Sequence, residues 1–503
     1  MGFTTAFQRL AIAKKHHRSP EERAFVRRLD IFLMSFGAFS QVIKYLDQTN
    51  INTAYVSGMK EDLHLMGNEL NLFTTFFNIG YCVMLIPSLI IMTHVRPSIW
   101  LPSLEIAWGV ITGLLAITKN ARQVYALRFA LGFLESSAWP GMAALLMHWY
   151  TPSELGKRMG FFSSASSIGA MMSGALQIAI LDRMDGSHGL PGWRWLFVIN
   201  SIMTVFVGAL GFVFLPDFPH KPNPWAKWFK DEYKQIAVDR LKRHGKAESR
   251  RITWQSAKRT AGMWITYFVP TWWVIHGLSG GGAGFFGVFL KSLLDGSGQP
   301  LWTVREVNAL PIGAAAIQVV TLWFWCSLSD MLESRWTILI VQCVIALIPA
   351  VTMTTWTWNS ENVPLNAAYA SFFIANTCLA GGNIFMAWLA ELLPHEPEAR
   401  SLIIGASVTA IYALAAGIMI LMWPASKAPY FNHGWPTTIA TWTITAALCV
   451  ALHYLDRRYL LPKRIEFAEA NGLVVNSSSD GGSVEPKSAE EKTKGPIDTT
   501  KSI

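Results

Sequence analysis

The sequence predicts an all-α membrane protein with twelve transmembrane helices in two six-helix halves. Three observations predict it. Of 503 residues, 51% are hydrophobic and only 15% charged, where a soluble domain carries about 25% charged residues. Twelve predominantly apolar runs approach or exceed the ~20 residues that cross a bilayer as a helix. A strongly basic stretch at 216–262 then divides these runs six and six.

The first span, 30–50, follows a basic segment with Lys14, Lys15, Arg18, Arg23, Arg27 and Arg28. That segment is expected to stay in the cytosol, with the span as an uncleaved insertion signal. The next five spans are 70–92, 100–118, 121–148, 159–181 and 194–215; the second six are 263–290, 309–328, 336–355, 366–393, 401–423 and 436–455. The fifth pairs small residues four apart (Gly160 and Ser164, Gly169 and Ser173, Ala170 and Gly174), a pattern for tight helix packing. The seventh carries GLSGGGAGFFG, which reads as a hinge or broken helix, or as a close-packing surface.

With both termini in the cytosol, 32 of the 42 Lys and Arg fall in cytosolic segments. The net charge of +9 is then mostly topology, and nothing else supports a nucleic-acid partner. The expected organisation is a basic tail (1–29), an N-terminal half (30–215), a cytosolic loop with an amphipathic helix (216–262), a C-terminal half (263–455) and a largely disordered tail (456–503). The loop helix, within WAKWFKDEYKQIAVDRLKRHG, reads as a solvated linker or as a helix on the inner membrane surface. The Asn476 sequon falls in the cytosolic tail and should be unused. Cys82, Cys326, Cys343, Cys378 and Cys449 are scattered through apolar runs without metal-ligand spacing. No metal or cofactor is expected.

An ionisable group at the bilayer centre costs roughly 2.5–3.5 kcal/mol on insertion scales, so those present are functional candidates. Arg128 and Glu135, in RFALGFLESSAWPG, are two helical turns apart and share a face, which must meet protein or water. Gly132 between them admits a neighbouring helix, and Pro140-Gly141 weakens the helix beyond. Lys44 and Asp47 lie near the outer end of the first span, followed by Asn50 and Asn52; Glu105, His276, Asn376 and Asn383 complete the set. Each has a plainer reading: Asp47 at the interface, Arg128 as a tie between helices, His276 as a packed residue. Glu105 is a possible partner of Arg128.

KYLDQTNINTAYVSGMKEDL, RFALGFLESSAWPG, GWRWLFVIN and LPDFP resemble fungal major facilitator transporters of the anion:cation symporter, or allantoate permease, family. YVSGMKEDL and WPASKAPYFNHGW look most similar to its pantothenate and biotin permeases, and the resemblance covers about 30–460. Arg128, Gly132 and Glu135 match the fourth-span motif. The loop motif between spans two and three keeps only Arg96, whereas its counterpart between spans eight and nine keeps Asp330 and Arg335.

The resemblance implies a monomer in the cell membrane that moves a small organic anion with protons by alternating access. A buried carboxylate can take a proton on one side and release it on the other. Glu135 and Asp47 are the candidates for that role, and Arg128 and Lys44, with Asn50, Asn376 and Asn383, for the anion. Asp330, Arg335 and Arg96 are the gating candidates. A proton-driven exporter is the first rival, although the fifth span lacks proline. A transporter-like nutrient sensor is the second. No HExxH, GxSxG or phosphate-binding loop points to an enzyme.

Overall fold

The computed structural model describes residues 19–150, 152–218, 221–243, 253–332, 334–393, 396–470, 473–476 and 483–486. Residues 1–18, most of the basic tail, lie outside them. Among the described residues, eleven helices are long and apolar enough to cross a membrane. The fourth span is in two pieces, Ala121–Glu135 and Ala138–Trp149, which interrupts the continuous run. Apolar side chains such as Phe39, Ile202, Val320 and Leu421 are left exposed on the outside of the bundle, as lipid-facing residues are.

The first span is longer than its apolar core. It runs as one helix from Pro20 to Asp62. Ser19 caps its start through its hydroxyl, which accepts from the Glu22 amide at 3.1 Å. Lys44 and Asp47 were expected near its outer end and instead lie mid-helix, because the polar sequence QTNINTA continues the helix to a π turn at Tyr55–Met59. Gly58 relieves that turn with φ +112°, a value open to glycine.

Three pairs of spans are locked by glycine. A Cβ on Gly132 would stand 2.0 Å from the Phe77 carbonyl oxygen, and one on Gly80 2.1 Å from that of Phe129. The second and fourth spans therefore meet backbone to backbone. Gly169 likewise faces the Val42 carbonyl of the first span, and Gly174 faces Asn308 of the eighth. The glycine-rich seventh span is broken: Ile265–Ser279, a 3₁₀ turn at Gly281–Phe285, then Phe286–Lys291. The tenth divides into Leu365–Thr377 and Gly381–Leu392.

The halves meet through the second and eleventh spans and through the fifth and eighth. The helix of the loop between the halves spans Asp231–Arg243. Its Tyr233 and Ala237 are buried in a cluster with Phe25 and Val26, and Trp228 before it stacks on Phe32 at 4.7 Å. It is thus docked on the first helix. In the C-terminal tail, Leu473–Asn476 pairs antiparallel with Ser483–Pro486, a departure from the expected disorder. Its LVV run favours a strand. The remainder of 471–503 lies outside the described residues.

Candidate functional site

Seven-residue spacing recurs on three neighbouring helices of the N-terminal half. Ser40, Lys44 and Asp47 form a stripe on the first span, Glu105, Trp108 and Thr112 one on the third, and Arg128 and Glu135 one on the fourth. The stripes turn inward. Lys44, Asp47, Glu105, Arg128 and Glu135 are all at most 3% exposed.

Asp47 Oδ1 accepts from Thr112 Oγ1 at 3.1 Å and from Asn200 of the sixth span. Its Oδ2 has no protein partner. Glu135 Oε2 accepts from Gln48 Nε2 at 3.1 Å, and Oε1 is unpartnered. Lys44 and Arg128 both lie in electrostatic reach of Glu135, and Arg128 also of Asp47. The Arg128 guanidinium sits 4.8 Å from the Phe77 ring centroid, with Nε and Nη1 unpartnered. Lys44 Nζ lies between the Tyr45 and Tyr81 rings, at 4.8 and 5.4 Å. These cations are held against aromatic faces while retaining donors for a further group.

Glu105 does not pair with Arg128. Its Oε2 accepts from Ser40 Oγ at 3.0 Å instead, one turn from Lys44. Asn50 accepts from Ser173 Oγ at 2.7 Å, a tie between the first and fifth spans. Asn376 donates to the Phe372 carbonyl within its own helix at 2.9 Å, and Asn383 is half-buried. No recorded hydrogen bond or ion pair links either to the charged cluster. Both flank the break in the tenth span, as Glu135 borders the break in the fourth. His276 is packed against Trp272 and Trp442, with ring centroids 4.7 and 5.4 Å away.

Arg335 is the centre of a cluster between the eighth and ninth spans of the C-terminal half. It donates to Asp330 at 2.5 Å, to Ser329 at 3.0 Å and to Glu391 at 2.9 and 3.0 Å. Arg96 makes no ion pair among the described residues; it begins the third-span helix with an extended backbone. That helix end is capped from elsewhere: Asp217, in LPDFP, accepts from the Ser98 amide at 2.7 Å. Arg158 instead forks onto Asp30 with two 2.6 Å bonds. Gln48, Thr112, Asn200, Asp217 and Glu391 were all missed from the sequence. Gln48 alone carried a clear signal, four residues after Lys44 on the same face.

The passage expected between the halves is shut above the cluster. Tyr81 and Tyr412 stack with centroids 4.0 Å apart. Beyond them Asn71 bonds both the Trp423 carbonyl (2.8 Å) and the Ala425 amide (2.9 Å), Thr75 bonds the Ala416 carbonyl (2.6 Å), and Lys291 pairs with Glu61 at 2.9 Å. On the other side, the second piece of the tenth span rests against the fifth.

A family model described as Major Facilitator Superfamily matches residues 37–424. The MFS transporter PfmaC of Pestalotiopsis fici is 31% identical over 428 residues, covering 84% of this chain and 78% of that one. The pantothenate transporter FEN2 of Saccharomyces cerevisiae is 27% identical over 466 residues, covering 91% and 88%. The crystal structure of a D-xylose-proton symporter aligns with a TM-score of 0.63 at 13% identity, over 83% of this chain and 97% of that one, a likeness of fold.

Proposed function

Because the chain belongs to the Major Facilitator Superfamily, and so is a multi-pass membrane transporter, we propose that it takes up a small organic anion with protons by alternating access. Pantothenate is the first choice of substrate and biotin the second. The similarity to the pantothenate transporter supports the substrate class.

The observation that carries the reading is the buried meeting of Lys44 and Arg128 with Glu135 and Asp47. Unpaired buried charge is costly. An anionic substrate placed beside Lys44 and Arg128 offsets their charge, and a proton on Glu135 or Asp47 keeps the cluster neutral when the anion is present. Glu135 is the first coupling group and Asp47 the second. Asn50, Asn376 and Asn383 contribute polar contacts to the substrate along the passage. Asp330 and Arg335 hold the cytosolic gate of the C-terminal half, with Arg96 at the equivalent loop of the other half. The transporter works as a monomer in the cell membrane with both termini cytosolic. Its working units are the halves 30–215 and 263–455, joined by the loop 216–262.

The test is uptake of labelled pantothenate and of labelled biotin by a permease-deficient yeast expressing the protein, at two external pH values. Uptake that rises with acidity supports the reading. Efflux without uptake would favour an exporter. Glu135→Gln should abolish accumulation against a gradient and preserve exchange of labelled for unlabelled substrate. A Glu135→Gln transporter that still accumulates substrate removes Glu135 as the coupling group.

A further inference from the structure

A small cavity inside the N-terminal half is lined by Phe36, Ser40, Leu101, Glu105, Trp108 and Ser137, with Ala138 and Met142 closing it. It is separate from the interface between the halves. Three polar atoms on its lining residues are buried and have no partner within the protein: Glu105 Oε1, Trp108 Nε1 and Ser137 Oγ. Their residues are at most 2% exposed. Buried polar groups are nearly always satisfied, by protein or by ordered water.

The donor pattern selects the occupant. An indole N–H only donates, so the group facing Trp108 must be an acceptor, which excludes a bare cation. A carboxylate and a hydroxyl can each take a hydrogen from the same group. The bonding capacity of a water matches all three: it can accept from Trp108 and donate to Glu105 and Ser137. Three bonds are what a buried water usually makes.

The chamber's place in the fold gives it a direction. Ser40 and Glu105 lie one stripe-length, two helical turns or ~10 Å, below Asp47 and Thr112 on the first and third spans. Ser137 lies in the break of the fourth span, two residues beyond Glu135. The chamber therefore stands between the coupling acids and the cytosolic ends of these helices. Among groups facing Glu105, the first span supplies Ser40 by hydrogen bond and Asp47 by electrostatic reach. The fourth supplies the Ser137 hydroxyl. The sixth supplies Gly208, without a titratable group. Among the described residues no cation offsets Glu105, so a bare carboxylate there would be an uncompensated buried charge.

We propose that this chamber binds water and that Glu105 passes the transported proton through it toward the cytosol. The inference rests on the proton-coupled reading above. The O–H bond of protonated Glu105 breaks as a new O–H bond forms on the water, which releases another of its hydrogens to Ser137 Oγ as the Ser137 hydroxyl gives its own hydrogen to solvent water entering from the cytosolic side. No oxidant or further reactant is needed.

The experiment has two arms on the full-length protein. In lipid nanodiscs, infrared difference spectra over a pH jump should contain a carboxylic C=O band that deuterium oxide shifts and Glu105→Gln removes. In proteoliposomes, Glu105→Gln should lower proton-driven uphill uptake of labelled pantothenate by ~100-fold, the scale of a lost proton-transfer group. Counterflow exchange should persist, which also shows that the variant is folded, and Glu105→Asp should restore part of the uphill rate. Uphill uptake at the wild-type rate in Glu105→Gln overturns the proposal, as does the absence of a solvent-exchangeable band. If the wild-type protein does not take up pantothenate, the substrate reading fails while the infrared arm still decides the role of Glu105.

Discussion

Tyr81 of the second span and Tyr412 of the eleventh lie face to face across the two halves, with ring planes 15° apart and centroids separated by 4.0 Å. Tyr412 is also within hydrogen-bonding contact of Gln48, the residue that holds Glu135. The closed interface and Glu135 are thus joined through two side chains. An aromatic pair contributes ~0.5–1.5 kcal/mol beyond its area, so Tyr412→Leu should raise the outward-open population roughly two- to tenfold. Spin labels at the exposed positions Met66 and Leu301, on opposite halves, should show a longer distance component growing.

Gly132→Ala should fail to assemble. Its Cβ would meet backbone rather than a movable side chain at 2.0 Å. The second and fourth spans would have to separate along a packed seam, and overpacking of this kind costs at least ~1–3 kcal/mol. Gly160→Ala is the matched control, because a Cβ there meets nothing within 4 Å. Size-exclusion profiles and thermal melting in detergent distinguish the two.

Arg335→Ala should lower thermal stability and loosen the turn between the eighth and ninth spans. It would leave Glu391 and Asp330 without their shared partner, and lost hydrogen bonds to charged groups each cost ~1.5–3 kcal/mol before solvent exposure reduces them. Arg335→Lys should rescue little, because an ammonium cannot reproduce the fork. Melting temperature, with hydrogen exchange of residues 329–340, reads the effect.

The loop at 293–301 should loosen in strong acid. Asp295 accepts from the Ser297 hydroxyl at 2.6 Å and from the Ser297 and Gln299 amides at 2.8 and 2.9 Å. These bonds, led by the Ser297 hydroxyl, hold its carboxyl below the usual aspartate value of 3.8. With the folded value depressed, the contribution is present above the unfolded value and is lost as pH falls through the folded one, below about 4. Ser297→Ala should move the loss toward higher pH. Limited proteolysis of this loop across that range measures it.

Eleven of the twelve expected crossings are long apolar helices among the described residues, legible because apolar length is a strong signal. The inward face of Arg128 and Glu135 followed from their spacing and the cost of charge in lipid. Gly132 and the glycine-rich seventh span were readable for what they permit. The partners were not. Thr112 and Asn200 resemble any neutral polar residue in an apolar run, and only the packing of the third and sixth spans on the first brings them to Asp47. Glu391 lies 56 residues from Arg335, beyond any local pattern. The depth of Lys44 and Asp47 was misjudged because a polar stretch inside a bundle reads like a helix end.

The bonds from Asn71, Thr75 and Lys291 have a pharmacological consequence on the proposed topology. They fasten the side that faces the medium. A competitive blocker added outside would meet a shut door, and its onset would follow how often the lobes part rather than how tightly it binds.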